Sequence, residues 1–277
     1  STWDAFTIYS SVGSISVTSM SGLLTFSKSS QVVTGDFSHT STGGITFSSS
    51  MTIGGNYTNT TSGTFTPNTT TITMNGTGGK NINTTKTHYN VTIDPSTAAT
   101  INVVTNSFTV SNTLNVASGD TLAIASGLTL THSGATLTLN GTISGPGRLT
   151  YRSTTAFPTT GTLSGTLILR FDTNDGNQTV SGRTDYGALE LYNKSTSART
   201  ITLGSPISQT ITTSSYLYVL AESNTGGADT TVSATTNDPV LNVGGDFDFT
   251  GTGSTTEIVN PPDVAKDWTV SGNVDFT

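Results

Sequence analysis

The sequence predicts an all-β chain that folds as a right-handed parallel β-helix, a β-solenoid, with about 21–23 residues per coil. Three observations predict it: a Thr- and Ser-rich composition, short strands of alternating apolar residues between tight turns, and a spacing that brings every third strand into register. The right hand is expected because parallel crossovers are right-handed in nearly all proteins. The alternative is a set of tandem antiparallel β-sandwich repeats, although such repeats have no reason to recur in threes.

The composition favours an ordered β-structure over a disordered polar tract. The 277 residues include 61 Thr, 36 Ser and 30 Gly, and only 32% are hydrophobic and 10% charged. Disordered tracts combine high net charge with few aromatic residues, whereas this chain carries a net charge of only -7 with 11 Phe, 8 Tyr and 2 Trp. Thr is β-branched and favours a half-buried pleated surface.

The same composition argues against several classes of function and partner. The chain has no Cys, so it has no disulfide framework and no thiol chemistry. Its acidic balance lacks the basic stripe that nucleic-acid binding requires. No apolar run approaches the ~20 residues of a membrane span. We expect no nucleic acid, no membrane span, no cofactor and no metal.

The strand signal is clearest in the segment 114–151. Apolar residues alternate there with polar ones, and SGD, SG, HSG and SGPG between them supply the positive-φ positions of tight turns. The inward candidates are Leu114/Val116, Leu122/Ile124, Leu128/Leu130, Leu137/Leu139, Ile143 and Leu149/Tyr151. Every third strand then falls in register, with 114 over 137, 122 over 143 and 128 over 149.

A longer repeat overlies the coils. Residues 71–116 resemble residues 167–219 at an offset of about 100 residues, and a glycine turn recurs as VVTGDF, TIGGNY, NVGGDF and TVSGNV. We therefore expect a single continuous β-solenoid over residues 1–277. One coil alone cannot offset its backbone entropy, at ~1–2 kcal/mol per residue, so the coils must stack.

The segment GGNYTNTTSGTFTPNTTTITMNGTGG, followed by YNVTI and SFTVSNTLNVASGDTLAI, resembles the Thr/Ser/Gly-rich repeat regions of large secreted bacterial and archaeal β-solenoid surface proteins. The resemblance covers most of residues 45–277 and carries no invariant motif. It implies an extracellular or cell-surface location and a β-solenoid stalk in a surface protein, adhesin or filament. It transfers no catalytic or binding residue.

The leading functional hypothesis is a structural module of a surface protein, filament or sheath, which gives a rigid stalk or polymer. The last residues, DWTVSGNVDFT, read like the start of another unit, so the expected partners are other copies or flanking domains of the same large protein. The main alternative is an adhesin or glycan-binding module in which Trp3, Trp268, Tyr216 and Tyr218 stack on sugars.

A polysaccharide-active β-helix enzyme ranks third, and we expect no enzyme. His39, His88 and His132 show no metal-ligand spacing and are expected at the surface or at coil edges. The densest acidic segment, with Asp172 and Asp175, misses the calcium-loop spacing and reads as a turn. The Asp246/Asp248 pair alternates with Phe247 and Phe249, as an outward face beside an inward one.

Nine asparagines stand in Asn-x-Ser/Thr sequons and are candidates for glycosylation. In a chain so rich in Ser and Thr, many sequons arise by chance, and these residues also suit turns. The candidates are Asn56, Asn59, Asn68, Asn75, Asn83, Asn90, Asn140, Asn177 and Asn193.

Overall fold

The computed structural model describes residues 11–27, 29–205, 210–222, 230–252, 257–260 and 266–276. These residues form stacked coils of short strands, and each strand pair recorded among them is parallel. The one helical element in these ranges is a 3-10 turn, Thr173–Asp175. The predicted parallel β-solenoid is confirmed, and the antiparallel sandwich alternative is wrong.

The chain divides into two compact units, Ser1–Ser144 and Gly145–Thr277. Each unit is solenoidal by itself. The expectation of one continuous solenoid concerns the boundary between the units and stays a prediction, as does the right hand of the coils.

The first unit contains the following strands: β1 (Ser11–Val12), β2 (Ile15–Val17), β3 (Leu23–Phe26), β4 (Gln31–Val33), β5 (Phe37–His39), β6 (Gly44–Phe47), β7 (Met51–Ile53), β8 (Tyr57–Asn59), β9 (Phe65–Thr66), β10 (Thr71–Met74), β11 (Lys80–Thr84), β12 (Thr87–Ile93), β13 (Thr100–Val103), β14 (Phe108–Val116), β15 (Thr121–Ile124), β16 (Thr129–His132), β17 (Thr136–Leu139) and β18 (Thr142–Ser144). They form a first sheet in the order β1-β4-β7-β10-β12-β14, where β14 pairs with both β16 and β17. A second sheet follows the order β2-β5-β8-β11-β13-β15-β18, and a third the order β3-β6-β9.

The interior of the first unit is built from columns of side chains stacked in register. Period-2 alternation turns one side of each strand inward, and parallel pairing places equivalent residues of successive coils over one another. One column has no exposed side chain along its whole length. It consists of Val33, Ile53, Met74, Ile93, Val116 and Leu139.

The predicted registers within this unit are confirmed to the residue. Leu114 pairs with Leu137, and Leu122 pairs with Ile143. The third predicted register, 128 with 149, spans the two units and stays a prediction.

The third sheet ends because its strands fuse with those of the first sheet. In the early coils, turn segments such as PNTT at 67–70 separate the two sheets, whereas the sequence runs without a break through β12 and β14. A register shift between His88 and Asn90 marks the bend that the missing turn leaves behind.

Aromatic rings continue along this side of the interior as a ladder. Adjacent ring centroids lie 5.0 to 5.9 Å apart, mostly edge to face. The aromatic ladder consists of Phe26, Phe47, Phe65, His88 and Phe108.

The glycine turns are tight corners stacked on one another. A Cβ placed on Gly76 would overlap the carbonyl oxygen of Gly54 one coil earlier. In the SG turns, Gly119 and Gly127 adopt φ values of 86° and 74°, as predicted. Gly134 of the HSG turn has no positive φ, and its Cβ would instead overlap backbone atoms of Asn112.

Polar side chains tie successive corners together beside these glycines. Ser14 Oγ accepts a hydrogen bond from the backbone N–H of Asp36 at 3.0 Å, and Asp36 Oδ1 accepts one from the N–H of Asn56 at 2.7 Å. Asn56 Oδ1 in turn accepts one from the N–H of Asn81 at 3.0 Å. We call this series, from Ser14 to Asn81, the corner ladder.

The second unit contains the following strands: β19 (Arg148–Tyr151), β20 (Thr162–Leu163), β21 (Ile168–Asp172), β22 (Gln178–Ser181), β23 (Ala188–Asn193), β24 (Arg199–Ser205), β25 (Thr210–Thr213), β26 (Leu217–Glu222), β27 (Thr230–Ser233), β28 (Val240–Val243), β29 (Phe247–Thr252), β30 (Glu257–Asn260), β31 (Trp268–Val270) and β32 (Val274–Phe276). Its long sheet follows the order β19-β21-β23-β26-β29-β32. Two further sheets follow the orders β22-β24-β27-β30 and β25-β28-β31.

Coil length differs within the second unit. Arg170 pairs with Glu190, 20 residues later, whereas Leu217 pairs with Phe247, 30 residues later. The predicted 21–23 residues therefore describe the earlier coils, and the later coils are longer because more residues connect their strands.

The two segments of the 100-residue repeat adopt the same succession of paired strands in their respective units. The residue pairs are Ile72 with Val91 and Met74 with Ile93 in the first unit, and Leu169 with Leu189 and Phe171 with Leu191 in the second. All of these side chains are buried.

Candidate functional site

Charged and aromatic side chains concentrate on the outward face of the long sheet in the second unit. Parallel register stacks them as it stacks the core, so that Arg170, Glu190, Tyr218 and Asp248 follow one another on adjacent strands. We call this the charged face. It comprises Arg148, Arg152, Arg170, Asp172, Glu190, Tyr192, Tyr216, Tyr218 and Asp248.

Glu190 is the centre of the charged face. Its Oε2 accepts hydrogen bonds from Arg170 Nε at 2.6 Å and from Arg148 Nε at 3.1 Å. Its Oε1 accepts hydrogen bonds from Arg148 Nη2 at 3.2 Å and from the Tyr216 hydroxyl at 3.1 Å. The Glu190 side chain is only 7% exposed, so the carboxylate is fully engaged beneath its partners.

The network shifts the pKa of two of its members. Burial alone would raise the pKa of Glu190, but the guanidinium groups of Arg170 and Arg148 overcome it and hold this pKa below its usual value. Burial and the Glu190 carboxylate raise the pKa of Tyr216 to about 12. At neutral pH the carboxylate is therefore charged and the phenol neutral, which is the state that their hydrogen bond requires.

Arg170 is also held from below. Its guanidinium carbon lies 4.4 Å from the ring centroid of Tyr192, a cation–π contact with a ring that is 7% exposed. The Arg170 and Arg148 side chains are 21% and 30% exposed. Both arginines are therefore fixed in place while part of each guanidinium reaches solvent.

The sequence pointed to Tyr216 but missed the arginines and Glu190. A usable signal was present: Arg148, Arg170 and Glu190 are spaced 22 and 20 residues apart, which is one coil length. In a solenoid, charges spaced by one coil lie side by side on adjacent strands.

Asp172 and Asp175 flank the 3-10 turn, in agreement with the turn interpretation. Asp172 Oδ1 accepts a hydrogen bond from the N–H of Asn174 at 3.0 Å, and Arg152 bridges to Asp172 at 3.5 Å and to Asp175 at 3.2 Å. Burial raises the pKa of Asp172, opposed by the Asn174 N–H and by Arg152. Within the described ranges no three His, Cys, Asp or Glu side chains are grouped as metal ligands.

The three histidines are buried, and the expectation of surface or coil-edge positions is wrong. His39 and His132 have no exposed surface, and His88 is 2% exposed. Each lies at an inward position of its strand, where neutral imidazole replaces an apolar side chain. Burial lowers the pKa of all three, that of His88 to about 3.

The proposed sugar-stacking aromatics divide between two environments. Trp268 pairs with Leu241 in an inward column, and its Nε1–H donates to the carbonyl of Pro239 at 3.2 Å, which indicates a role in packing. Tyr216 and Tyr218 lie half-buried on the charged face. Trp3 lies outside the described residues. The Asp246/Asp248 pair faces outward beside buried Phe247 and Phe249, as predicted.

The nine sequons fall into three groups. Asn59 and Asn193 are buried. The side-chain NH₂ groups of Asn56, Asn68 and Asn90 donate to Asp36, to the Phe47 carbonyl and to Thr71. Asn75 and Asn83 are half-buried, whereas Asn140 and Asn177 are exposed. Use of any of these sequons stays a prediction.

The chain matches no family model, no curated protein and no solved structure. A solenoid fold does not by itself specify a role, so a function has to be inferred from the faces and columns described above. In the described residues there is no helix with the length and apolarity needed to cross a membrane.

Proposed function

We propose that the chain is a structural module of an extracellular surface protein, filament or sheath, in which the stacked coils give a rigid stalk or polymer. The observation that carries the proposal is the buried column from Val33 to Leu139, which runs through successive coils of the first unit without an exposed member. Such a column makes each coil the packing surface of the next.

The physics of a stacked column favours mechanical work. A coil of this size loses ~1–2 kcal/mol of backbone entropy per residue, and each buried apolar side chain returns only ~1.5–3 kcal/mol. A single coil is therefore unstable, and its stability comes from the parallel hydrogen bonds and packing that it shares with its neighbours. Separating coils along the axis breaks many of these contacts at once.

The outer surface supports an extracellular location. It is covered by Thr and Ser rather than by charge, and the chain has only 10 Lys and Arg. Absence of Cys leaves the fold indifferent to the redox state of its surroundings.

The location is tested with antibodies raised against the folded chain. Labelling of intact source cells, lost after brief protease treatment of the cell surface, supports the proposal. Labelling that requires permeabilised cells overturns it.

The mechanical role is tested by pulling the chain between two reference domains in a force spectrometer. We expect unfolding in steps that release one or a few coils, at forces above those of the reference domains. Unfolding at forces too low to resolve overturns the mechanical role.

The charged face favours a second candidate, a glycan-binding module. Tyr216 and Tyr218 lie beside two fixed arginines on an open sheet face. Both roles can coexist in a surface stalk that presents a binding face along its side.

A further inference from the structure

The charged face carries an excess of positive charge at one end. Two guanidinium groups, those of Arg148 and Arg170, share the single carboxylate of Glu190. Arg152 is balanced separately by Asp172 and Asp175. The Arg148–Glu190–Arg170 cluster therefore keeps one net positive charge in a chain whose net charge is -7.

This cluster also keeps unused hydrogen-bond donors. Arg170 spends its Nε on Glu190, and Arg148 spends Nε and Nη2. Arg170 Nη1 and Nη2 and Arg148 Nη1 make no hydrogen bond to any described residue, while both side chains are partly exposed. A guanidinium fork with free Nη groups matches a carboxylate ligand.

The donors are held before any ligand arrives. Glu190 fixes both arginines from one side, and Tyr192 supports the Arg170 plane at 4.4 Å. Since less side-chain entropy is lost on binding, such a site favours its ligand.

Aromatic rings continue the face on the next strand. Tyr218 pairs with Glu190, and Tyr216 reaches the same carboxylate through its hydroxyl. Half-buried tyrosines present an apolar ring with a polar tip, a combination that suits sugar rings. Asp248 and Asp275 follow on the next two strands and repel anions, so they limit an anionic ligand to the arginine end.

We propose that the charged face binds a polysaccharide that carries carboxylate groups, a polyuronate. Arg148 and Arg170 donate to a sugar carboxylate through their free Nη groups, and Tyr216 and Tyr218 contact a neighbouring ring. The ligand class deepens the proposed function, because a surface stalk meets such polymers outside the cell.

The binding test uses the full chain and polygalacturonate oligosaccharides in calorimetry, with dextran as the neutral comparison. We expect saturable binding of polygalacturonate that weakens as salt is raised, and none of dextran. Equal binding of both polymers, or no binding of polygalacturonate, overturns the proposal.

The arginine forks are tested with the double variant Arg148→Lys/Arg170→Lys. It keeps both charges and a donor for Glu190 but removes the free Nη groups, so we expect at least tenfold weaker binding at an unchanged melting temperature. Arg199→Lys, on a different sheet of the same unit, is the matched control and keeps full affinity. Wild-type affinity in the double variant overturns the proposal.

Two further measurements cover other outcomes. If the double Lys variant unfolds, Arg148→Gln/Glu190→Gln/Arg170→Gln removes the three charges together, and a folded triple variant that still binds overturns the proposal. Sedimentation at the same concentrations overturns it if the wild type forms dimers that the double Lys variant does not. Failure of surface labelling would overturn the proposed location while leaving the binding result intact.

Discussion

His88 packs against Phe108 with ring centroids 5.9 Å apart and an interplanar angle of 81°. A titratable imidazole is therefore a rung of the aromatic ladder, with Phe65 at 5.0 Å and Tyr57 at 5.4 Å as its other ring neighbours. Its Nε2 lies 3.4 Å from Thr84 Oγ1. None of these neighbours carries a charge that could stabilise an imidazolium ion.

Acid should destabilise the first unit through this residue. Burial lowers the pKa of His88 to about 3, whereas the unfolded value is 6.5. Below pH 6.5 the unfolded chain binds a proton that the folded chain does not, so stability is complete above that pH and falls as the pH falls. The loss from His88 reaches about 2.5 kcal/mol at pH 4.5. Thermal melts between pH 4 and 8 measure it.

The variant His88→Phe isolates this effect. Phe continues the ladder without a titratable group, so we expect an unchanged melting temperature at pH 7.5 and a higher one than wild type at pH 4.5. Parallel pH profiles of the two proteins would show that His88 does not titrate on unfolding.

The stacked corners allow no side chain at Gly76. We expect Gly76→Ala to reduce the free energy of unfolding by about 1–3 kcal/mol, because its Cβ would overlap the carbonyl oxygen of Gly54. Gly79→Ala is the matched control, since the nearest atom to its Cβ is Asn102 Nδ2 at 3.9 Å. Urea unfolding compares the two, and equal midpoints would refute close stacking at this corner.

Glu190 holds two arginines together, so its loss should destabilise the second unit. We expect Glu190→Gln to cost about 2–3 kcal/mol, the lower end for breaking a buried ion pair because the arginines are partly exposed. Asp248→Asn, in the same outward column, should change stability by less than about 0.5 kcal/mol. Calorimetric melts of both variants decide it; a larger loss for Asp248→Asn would contradict the network.

Glycosylation, where the source carries it out, should follow exposure. We expect glycans on Asn140 and Asn177 and none on Asn59 or Asn193, whose side chains are buried. The Asn59 NH₂ group donates to the Tyr57 hydroxyl at 3.2 Å, and Asn193 Oδ1 accepts from Thr173. Mass spectrometry of glycopeptides from the native protein tests this, and occupancy at Asn59 would contradict the buried placement.

Sequence alone predicted the parallel architecture and part of its register because inward residues must recur once per coil. Leu114 over Leu137 and Leu122 over Ile143 follow from that spacing. The buried histidines were missed because the interior was expected to be apolar. In fact Val17, His39, Asn59 and Thr84 occupy one inward column of the second sheet, and the last three have no exposed surface.

Other features depend on which coil lies next to which, and a single strand does not reveal that. Three arginines and a glutamate are common outward residues, and they become a cluster only through the pairing of β19, β21 and β23. The longer coils after β23 were missed because the regular spacing was read from residues 114–151, before the connections lengthen.

The corner ladder makes every corner a receptor for the amide group of the following corner. The oxygen of Asp36 can serve Asn56 only if the intervening chain returns to the same azimuth. Gaining or losing one or two residues within a coil would leave both the donor and the acceptor facing empty space. Inserting or deleting a whole turn would preserve the match, so a family of such chains is expected to vary in length by complete turns.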